Sequence, residues 1–234
     1  MGAPDRMDEK LRTLSLVEAQ RRAEALFAEV EARGLVAPGV GEQEAGDRIR
    51  ELAHEMFGTA RHGHGRLVRS GPHALRPHEA GPSDRIIGGG DLAVVALGPV
   101  FGTYEVDFSR TLAVGDGPAG QRLCDDLARV FTAGRDAFRA DRGITARQLY
   151  AEVERRAADA GWALGGRHAG RLVGDAPYES ADGARAESYI SPDNDLPLRR
   201  VDQAGWRCRW VLEVRLTDRR TGFGGLYGQL LDLM

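Results

Sequence analysis

Residues 92–115 restrict the fold of this chain more than any other stretch, because they have the pattern of two strands joined by a tight turn. An apolar run, residues 92–97, is followed by Gly98-Pro99 and then by residues 104–109, in which apolar and polar side chains alternate. A period of two places Tyr104, Val106 and Phe108 on one face and Glu105, Asp107 and Ser109 on the other. Asp107 is therefore predicted to point away from the core.

The composition is that of an ordinary globular protein, with 234 residues, 42% hydrophobic and 29% charged. A net charge of -3 gives no electrostatic reason to expect nucleic acid as a partner, and Arg207 and Arg209 are interpreted as a solvated strand face. No apolar run of 18 residues and no signal-peptide pattern is present, so we expect a cytoplasmic protein without a membrane partner. Cys124 and Cys208 lack metal-site spacing and are expected to be free thiols.

Two amphipathic helices are predicted before the hairpin. The first is expected to begin at Ser15, because Ser15 and Glu18 have the spacing of a capping box, and to end at Gly34. Residues 1–14 are then expected to be a flexible N-terminus. The second helix is expected to end at Gly58.

After the hairpin the pattern predicts two more helices and then strands. A long helix is expected over residues 117–141, and another from Thr145, which forms a capping box with Gln148, to Gly161. Residues 207–218 alternate with period two, which predicts a strand with one buried face.

Residues 58–91 are rich in histidine, glycine and proline and are expected to form loops around one short strand at 66–69. His62 and His64 are two positions apart, so a strand would direct both to one side, where they would bind a metal or move protons. The alternative is a polar surface loop, in which neither histidine has a chemical role.

The hairpin resembles that of the pita-bread family of creatinase, prolidase and methionine aminopeptidase. In that family two aspartates, eleven positions apart, bind a pair of divalent metals, and the second is followed by a Ser/Thr-Arg-Thr pattern. Asp107 matches the second aspartate, but the first position holds Ala96. The resemblance implies one α+β domain over residues 15–234, with a curved antiparallel sheet and helices on its outer face. It also makes His64 the better candidate for the family's catalytic histidine.

A second segment resembles the family's glycine-rich strand entry. Arg171 stands where the family has a metal-binding histidine, and Tyr178 stands where a second histidine is expected. A guanidinium stays protonated and has no lone pair to offer a metal. His168 is either a displaced substitute for the lost histidine or, if strand alternation is regular, a residue on the face opposite to Arg171.

Two of the five metal-ligand positions implied by the resemblance keep a carboxylate. Asp107 is one, and Glu213 matches a bridging glutamate in the strand at 207–218. The other three positions hold Ala96, Arg171 and Gly228. A dinuclear centre needs several oxygen or imidazole donors, so we predict no metal cofactor, and we expect Arg171 to pair with Asp107 or Glu213.

The leading hypothesis is a metal-independent enzyme, of hydrolase, lyase or cyclase type, that acts on a small amide, amino-acid-like or guanidino compound in a biosynthetic pathway. The catalytic candidates are His64, Asp107 and Glu213. The candidates for binding an anionic group of the substrate, or for shaping its site, are Arg171, Arg215, Tyr178, His168 and Tyr104.

Two alternatives remain open. The first is a catalytically inactive peptidase homologue that binds a peptide or a protein. The second is a metallopeptidase with a single metal held by His64, Asp107 and Glu213. A homodimer is an expectation from the fold alone.

Overall fold

The computed structural model describes residues 6–59, 67–75, 83–98, 108–173, 186–221 and 223–231. Within them lie four helices, α1 to α4, and seven strands, β1 to β7, which confirm the predicted α+β class. The helices are α1 (Arg6–Ala32), α2 (Glu42–Phe57), α3 (Pro118–Ala140) and α4 (Ala146–Asp159). The strands are β1 (Val68–Ser70), β2 (Leu92–Ala96), β3 (Ser109–Ala113), β4 (Ala163–Leu164), β5 (Gly170–Leu172), β6 (Trp210–Thr217) and β7 (Gly224–Leu230).

The strands form one antiparallel sheet. Its order is β1-β2-β3-β7-β6-β4, and β5 pairs with another part of β6. The predicted pairing of the 92–115 stretch is confirmed, since β2 and β3 pair over five residues from Leu92↔Ala113 to Ala96↔Ser109. The described part of the second strand extends to Ala113, four residues beyond the predicted end at Ser109.

Two hydrophobic clusters fill the space between sheet and helices. One joins α1 and α2 to β1 and β2, with Ile49 and Val95 fully buried, and the other joins α3 and α4 to β6, with Leu149 and Leu212 fully buried. The register places Val95 and Leu212 on the same face of the sheet, opposite to Ala96 and Glu213. Both helix pairs therefore cover the face of Val95 and Leu212, and the opposite face around Ala96 and Glu213 is left for a site, although Leu92 and Val211 further along that face are buried in the clusters.

Most predicted helix boundaries are confirmed, but the predicted start of α1 at Ser15 was wrong. Helix α1 begins at Arg6, nine residues before Ser15, and the segment expected to be flexible is helical from Arg6 onward. Its side chains make contacts there, since Arg12 donates to the carbonyl oxygens of Arg207 and Val173. Helix α2 ends at Gly58 as predicted, with φ at +66°.

The capping box at Thr145 is present with both of its hydrogen bonds, to and from Gln148. Both cysteines are free, as predicted. Among the described helices, none has a stretch long and apolar enough to cross a membrane.

Candidate functional site

Strand register brings three of the five positions that the resemblance assigns to metal ligands into one line across the sheet. Ala96 pairs with Ser109, Ser109 with Gly228, and Gly228 with Glu213. We call these four residues the row. Neighbouring strands are about 4.8 Å apart, so their side-chain positions lie side by side on the face that the helices leave uncovered. The sheet thus has the geometry of a shared site across β2, β3, β7 and β6.

Glu213 is the only carboxylate in the row, and it is already paired with an arginine. Arg215 lies two residues further along β6, on the same face, and its Nη2 is 3.3 Å from Oε1 of Glu213. The two side chains are 32% and 24% exposed, so water still reaches both. From sequence, Arg171 was expected to pair with Asp107 or Glu213. The observed partner of Glu213 is Arg215, and Asp107 lies outside the described residues.

Arg171 and His168 lie beside β6. Arg171 is opposite Val211 in the pairing of β5 with β6, and it also forms a backbone bridge with Tyr189. The imidazole of His168 stacks on Tyr189, with 4.5 Å between ring centres. Strand alternation does not separate His168 from Arg171, because His168 precedes β5 and Gly170 has φ at +146°.

Burial is the main cause of a lowered pKa at His168, and the positive charges of Arg215 and Arg171 lower it further. Its Nδ1 is buried without a hydrogen-bond partner in the described structure. At neutral pH the imidazole is therefore neutral. A neutral histidine close to two guanidinium groups can accept or donate a proton to a ligand but adds no charge.

Arg110 fastens the sheet behind the row. Its guanidinium donates to the carbonyl oxygens of Ser109 and Gly228, at 2.8 and 3.0 Å, and to Oε1 of Gln229. It lies between the rings of Phe108 and Tyr227, 4.0 and 3.6 Å from their centres. Burial lowers the pKa of Arg110 to about 10, so the group stays charged at neutral pH.

Four of the predicted site residues, His64, Asp107, Tyr104 and Tyr178, lie outside the described residues. Their roles stay predictions, as does the alternative that the His62 and His64 segment is a surface loop. Glu213, Arg215, Arg171 and His168 are described, and the structure brings them to β6 and its edge.

The described residues do not fit a dinuclear metal centre. Ala96 and Gly228 carry no donor atom, Arg171 carries a cation in place of an imidazole, and Glu213 is bound to Arg215. Ser109 adds one hydroxyl, which is a weak ligand for the divalent ions that bind carboxylates. No group of three or more metal-ligating side chains occurs in the part of the chain that the structure describes.

Comparison with known protein families shows to which family this chain belongs. A family model described as metallopeptidase family M24 matches residues 15–199. The chain belongs to this family. The M24 membership, together with the antiparallel sheet and the helices packed on it, confirms the predicted pita-bread fold.

Individual proteins similar to this chain are also peptidases. An Xaa-Pro dipeptidase of Pyrococcus furiosus is 28% identical over 152 residues, which cover 62% of this chain and 43% of the relative. The structure of dipeptidase PepE from Mycobacterium ulcerans is 29% identical, with a TM-score of 0.67 over 92% of this chain and 54% of that one. The match thus spans about half the length of these relatives.

Methionine aminopeptidase from Thermotoga maritima is similar over nearly its whole length. The similarity covers 94% of this chain and 95% of that one, with a TM-score of 0.65 and 14% identity. At this identity the comparison supports the fold alone.

Sequence reasoning missed three features of this M24 site. Ser109 was assigned to the face of Asp107 but not to the row, Tyr189 was not considered, and the buried position of Arg110 was not foreseen. The signal for Arg110 lay in the Ser-Arg-Thr pattern itself, which the resemblance had already singled out.

Proposed function

We propose that this M24 protein works without the dinuclear metal centre and uses the uncovered face of the sheet for acid/base chemistry on a small anionic amide. The observation that carries the proposal is the row: two of its four positions, Ala96 and Gly228, have no donor, and Glu213 is paired with Arg215. On the paired strands β5 and β6 the charged side chains are thus two arginines, Arg171 and Arg215, and one carboxylate, Glu213.

The relatives' names suggest the substrate class. An Xaa-Pro dipeptide has an amide bond and a carboxylate, and guanidinium groups bind carboxylates through two parallel hydrogen bonds. In our proposal Arg171 and Arg215 hold the carboxylate, while Glu213 orients an amide or amine group. His168 and the predicted residues Tyr104 and Tyr178 complete the binding site.

Proton transfer is assigned to His64, and Asp107, like Glu213, would orient or polarise the reacting group; the roles of His64 and Asp107 keep the status of predictions from sequence. An imidazole with a pKa near neutrality suits general acid/base catalysis, and a carboxylate beside it stabilises the protonated form. In our proposal the reaction is of hydrolase, lyase or cyclase type and belongs to a biosynthetic pathway.

Metal content is the first test. The purified chain is incubated with Mn, Co, Zn and Fe salts, desalted and analysed for elements. We expect close to zero ions per chain, because the described residues supply too few donors. Two ions per chain would overturn the proposal and restore a metallopeptidase mechanism, and one ion would support the single-metal alternative.

A restoration variant sharpens this test. We expect the triple substitution Ala96→Asp, Arg171→His and Gly228→Glu to raise metal content above that of the parent chain, because it returns all five donors. If this variant folds, by circular dichroism, and still binds no metal, then the loss of ligands is not what removed the metal centre.

A second function is favoured by one specific feature of α1. Met7, Leu11 and Leu14 lie on one side of this helix and are 61%, 56% and 54% exposed. Exposed apolar residues in this arrangement are typical of a helix that docks on a partner. The second candidate is therefore a catalytically inactive M24 homologue that binds a peptide or protein. Enzyme activity in the purified parent chain would argue against this candidate.

A further inference from the structure

A second polar site lies away from the row. A cavity of about 800 Å³ lies between four parts of the chain: the C-terminal end of α3, the segment 199–209, the first residue of β6 and the residue that follows β7. Six arginines line it, and we call it the arginine pocket: Arg139, Arg142, Arg199, Arg200, Arg207 and Arg209. Its apolar part includes Trp210 and Leu231, which belong to the face opposite to Glu213. The pocket is thus separate from the proposed catalytic site.

The charge of this pocket is not balanced. No aspartate or glutamate lines it, although the whole chain has 35 acidic and 32 basic residues. Within the described parts of the chain, none of the six arginines forms an ion pair with a carboxylate. An abundance of arginine in the sequence does not explain this, because elsewhere arginines such as Arg48 and Arg155 are paired.

The carboxylates close to the pocket are bound to backbone amides instead. Oδ1 of Asp141 accepts from the amide of Gly143 at 2.8 Å, and Oδ1 of Asp202 accepts from the amide of Trp206 at 2.8 Å. Oε1 of Glu9, from α1, accepts from the backbone amide of Arg207 at 2.6 Å. The bonds of Asp141 and Asp202 stabilise turns, whereas that of Glu9 joins α1 to the segment 199–209, and Oε2 of Glu9 is buried without a hydrogen-bond partner in the described structure. Within the described residues none of the three carboxylates forms an ion pair with a pocket arginine.

Neutral groups hold several of the guanidinium groups in place. Arg199 lies 3.7 Å above the ring centre of Phe138 and donates to the carbonyl oxygens of Phe138 and Asp141. Arg200 donates to the carbonyl oxygen of Glu187 at 2.6 Å. Such contacts fix a guanidinium without neutralising it, so the pocket is arranged in advance for an anion.

Arg209 provides an unused donor. Its Nη2 donates to the hydroxyl of Thr13 at 3.0 Å, whereas its Nε is buried and has no hydrogen-bond partner in the described structure. A buried donor without a partner is costly, and a bound anion would remove that cost. Arg207 and Arg209 were interpreted from sequence as a solvated strand face. Both precede β6 and line this pocket, so neither lies on the strand, but Arg207 is exposed as predicted, whereas Arg209 is half-buried.

We propose that the arginine pocket binds a small anion with several phosphate groups. Planar guanidinium groups match phosphate oxygens in pairs, and several clustered arginines call for a ligand with several negative charges. The volume lies in the range of small-molecule sites. This site is independent of the proposed catalytic function.

Calorimetric titration of the full chain with tripolyphosphate tests the proposal. We expect saturable binding that weakens as salt concentration rises. Arg142→Ala and Arg199→Ala should each weaken it about tenfold, because each removes charge-assisted hydrogen bonds. The matched control is Arg219→Ala, which removes an exposed arginine in the turn between β6 and β7 and should leave the affinity unchanged.

Three outcomes would overturn the proposal: no saturable binding, an equal loss in Arg219→Ala, or citrate binding as tightly as tripolyphosphate, which would make the site one for carboxylates. Arg142 is exposed, so its variant keeps the test valid if Arg199→Ala does not fold. Arg215→Met, in the proposed catalytic site, should leave tripolyphosphate affinity unchanged. Failure of one proposal is thereby distinguished from failure of the other.

Discussion

Two polar clusters lie on this sheet, and they are built differently. At the start of α2, Glu42 is fully buried, and its Oε1 accepts from the amide and hydroxyl of Ser70 at 2.6 and 3.0 Å, while Nδ1 of His73 lies 3.1 Å from Oε2. Arg85 completes this cluster by donating to Ser70 and Asp91. Each of these side chains is satisfied within the protein.

The cluster beside β6 has the opposite character. Its described members are half-buried, Nδ1 of His168 has no partner in the described structure, Arg215 is paired with Glu213, and Arg215 and Arg171 both lie near His168. A cluster that satisfies itself contributes to stability, whereas a cluster that keeps unsatisfied groups near water is suited to a ligand. The comparison predicts that substitutions around Glu42 change stability and that substitutions beside β6 change chemistry.

The largest effect is expected for Glu42→Ala. This change leaves the amide and hydroxyl of Ser70 and the imidazole of His73 without their acceptor inside the core, and should lower the free energy of unfolding by about 3 kcal/mol. Denaturant unfolding measures it. Glu44→Ala, an exposed glutamate on the same helix, is the control and should change stability by less than about 0.5 kcal/mol. A loss below about 1 kcal/mol for Glu42→Ala would remove the distinction between the clusters.

The Glu42 cluster also shows what sequence reasoning could reach. Helices and strands followed from local periodicity and caps, as at Thr145 and Gly58, because those signals lie within a few residues. The start of α1 failed because a capping-box spacing at Ser15 also occurs inside a longer helix. Glu42 and Ser70 are 28 positions apart, so no local pattern announces their contact.

The candidate site divides in the same way. The face of Glu213 and Arg215 followed from the period of β6, and three of the four row positions, all but Ser109, followed from the family resemblance. The stack of His168 on Tyr189 depends on the left-handed φ of Gly170 and on a distant segment, and the arginine pocket combines residues from Phe138 to Leu231. Both are products of the tertiary fold rather than of any single stretch.

An intermediate effect, confined to acid pH, is expected at His168. Its pKa is lowered from the ordinary value of 6.5 by burial and by Arg215 and Arg171, so below that pH the unfolded chain binds a proton more readily than the folded one. The contribution of the neutral His168 to the free energy of unfolding is therefore fully present above pH 6.5 and decreases as the pH falls below that value. His168→Phe keeps the stack on Tyr189 without a titrating group, and its melting temperature should fall less between pH 7 and pH 5 than that of the parent.

Both proteins are compared at pH 8 as well, where the imidazole is neutral and the histidine contributes no pH dependence. If the melting temperatures of the parent and of His168→Phe fall equally between pH 8 and pH 5, His168 is not part of an electropositive cluster. The contrast with the Glu42 cluster would then rest on Glu213 and Arg215 alone.

The smallest effect on stability, and the most informative about chemistry, is expected for Arg215→Met. The ion pair with Glu213 is partly exposed, so its loss should change the free energy of unfolding by no more than about 0.5 kcal/mol. The same change removes a positive charge that lowers the pKa of His168, so the pKa of that imidazole should rise in an NMR titration. Arg219→Met, an exposed arginine on the following turn, should leave it unchanged. If the two variants give the same His168 titration, Arg215 does not act on the histidine, and β6 then carries a surface ion pair instead of a site.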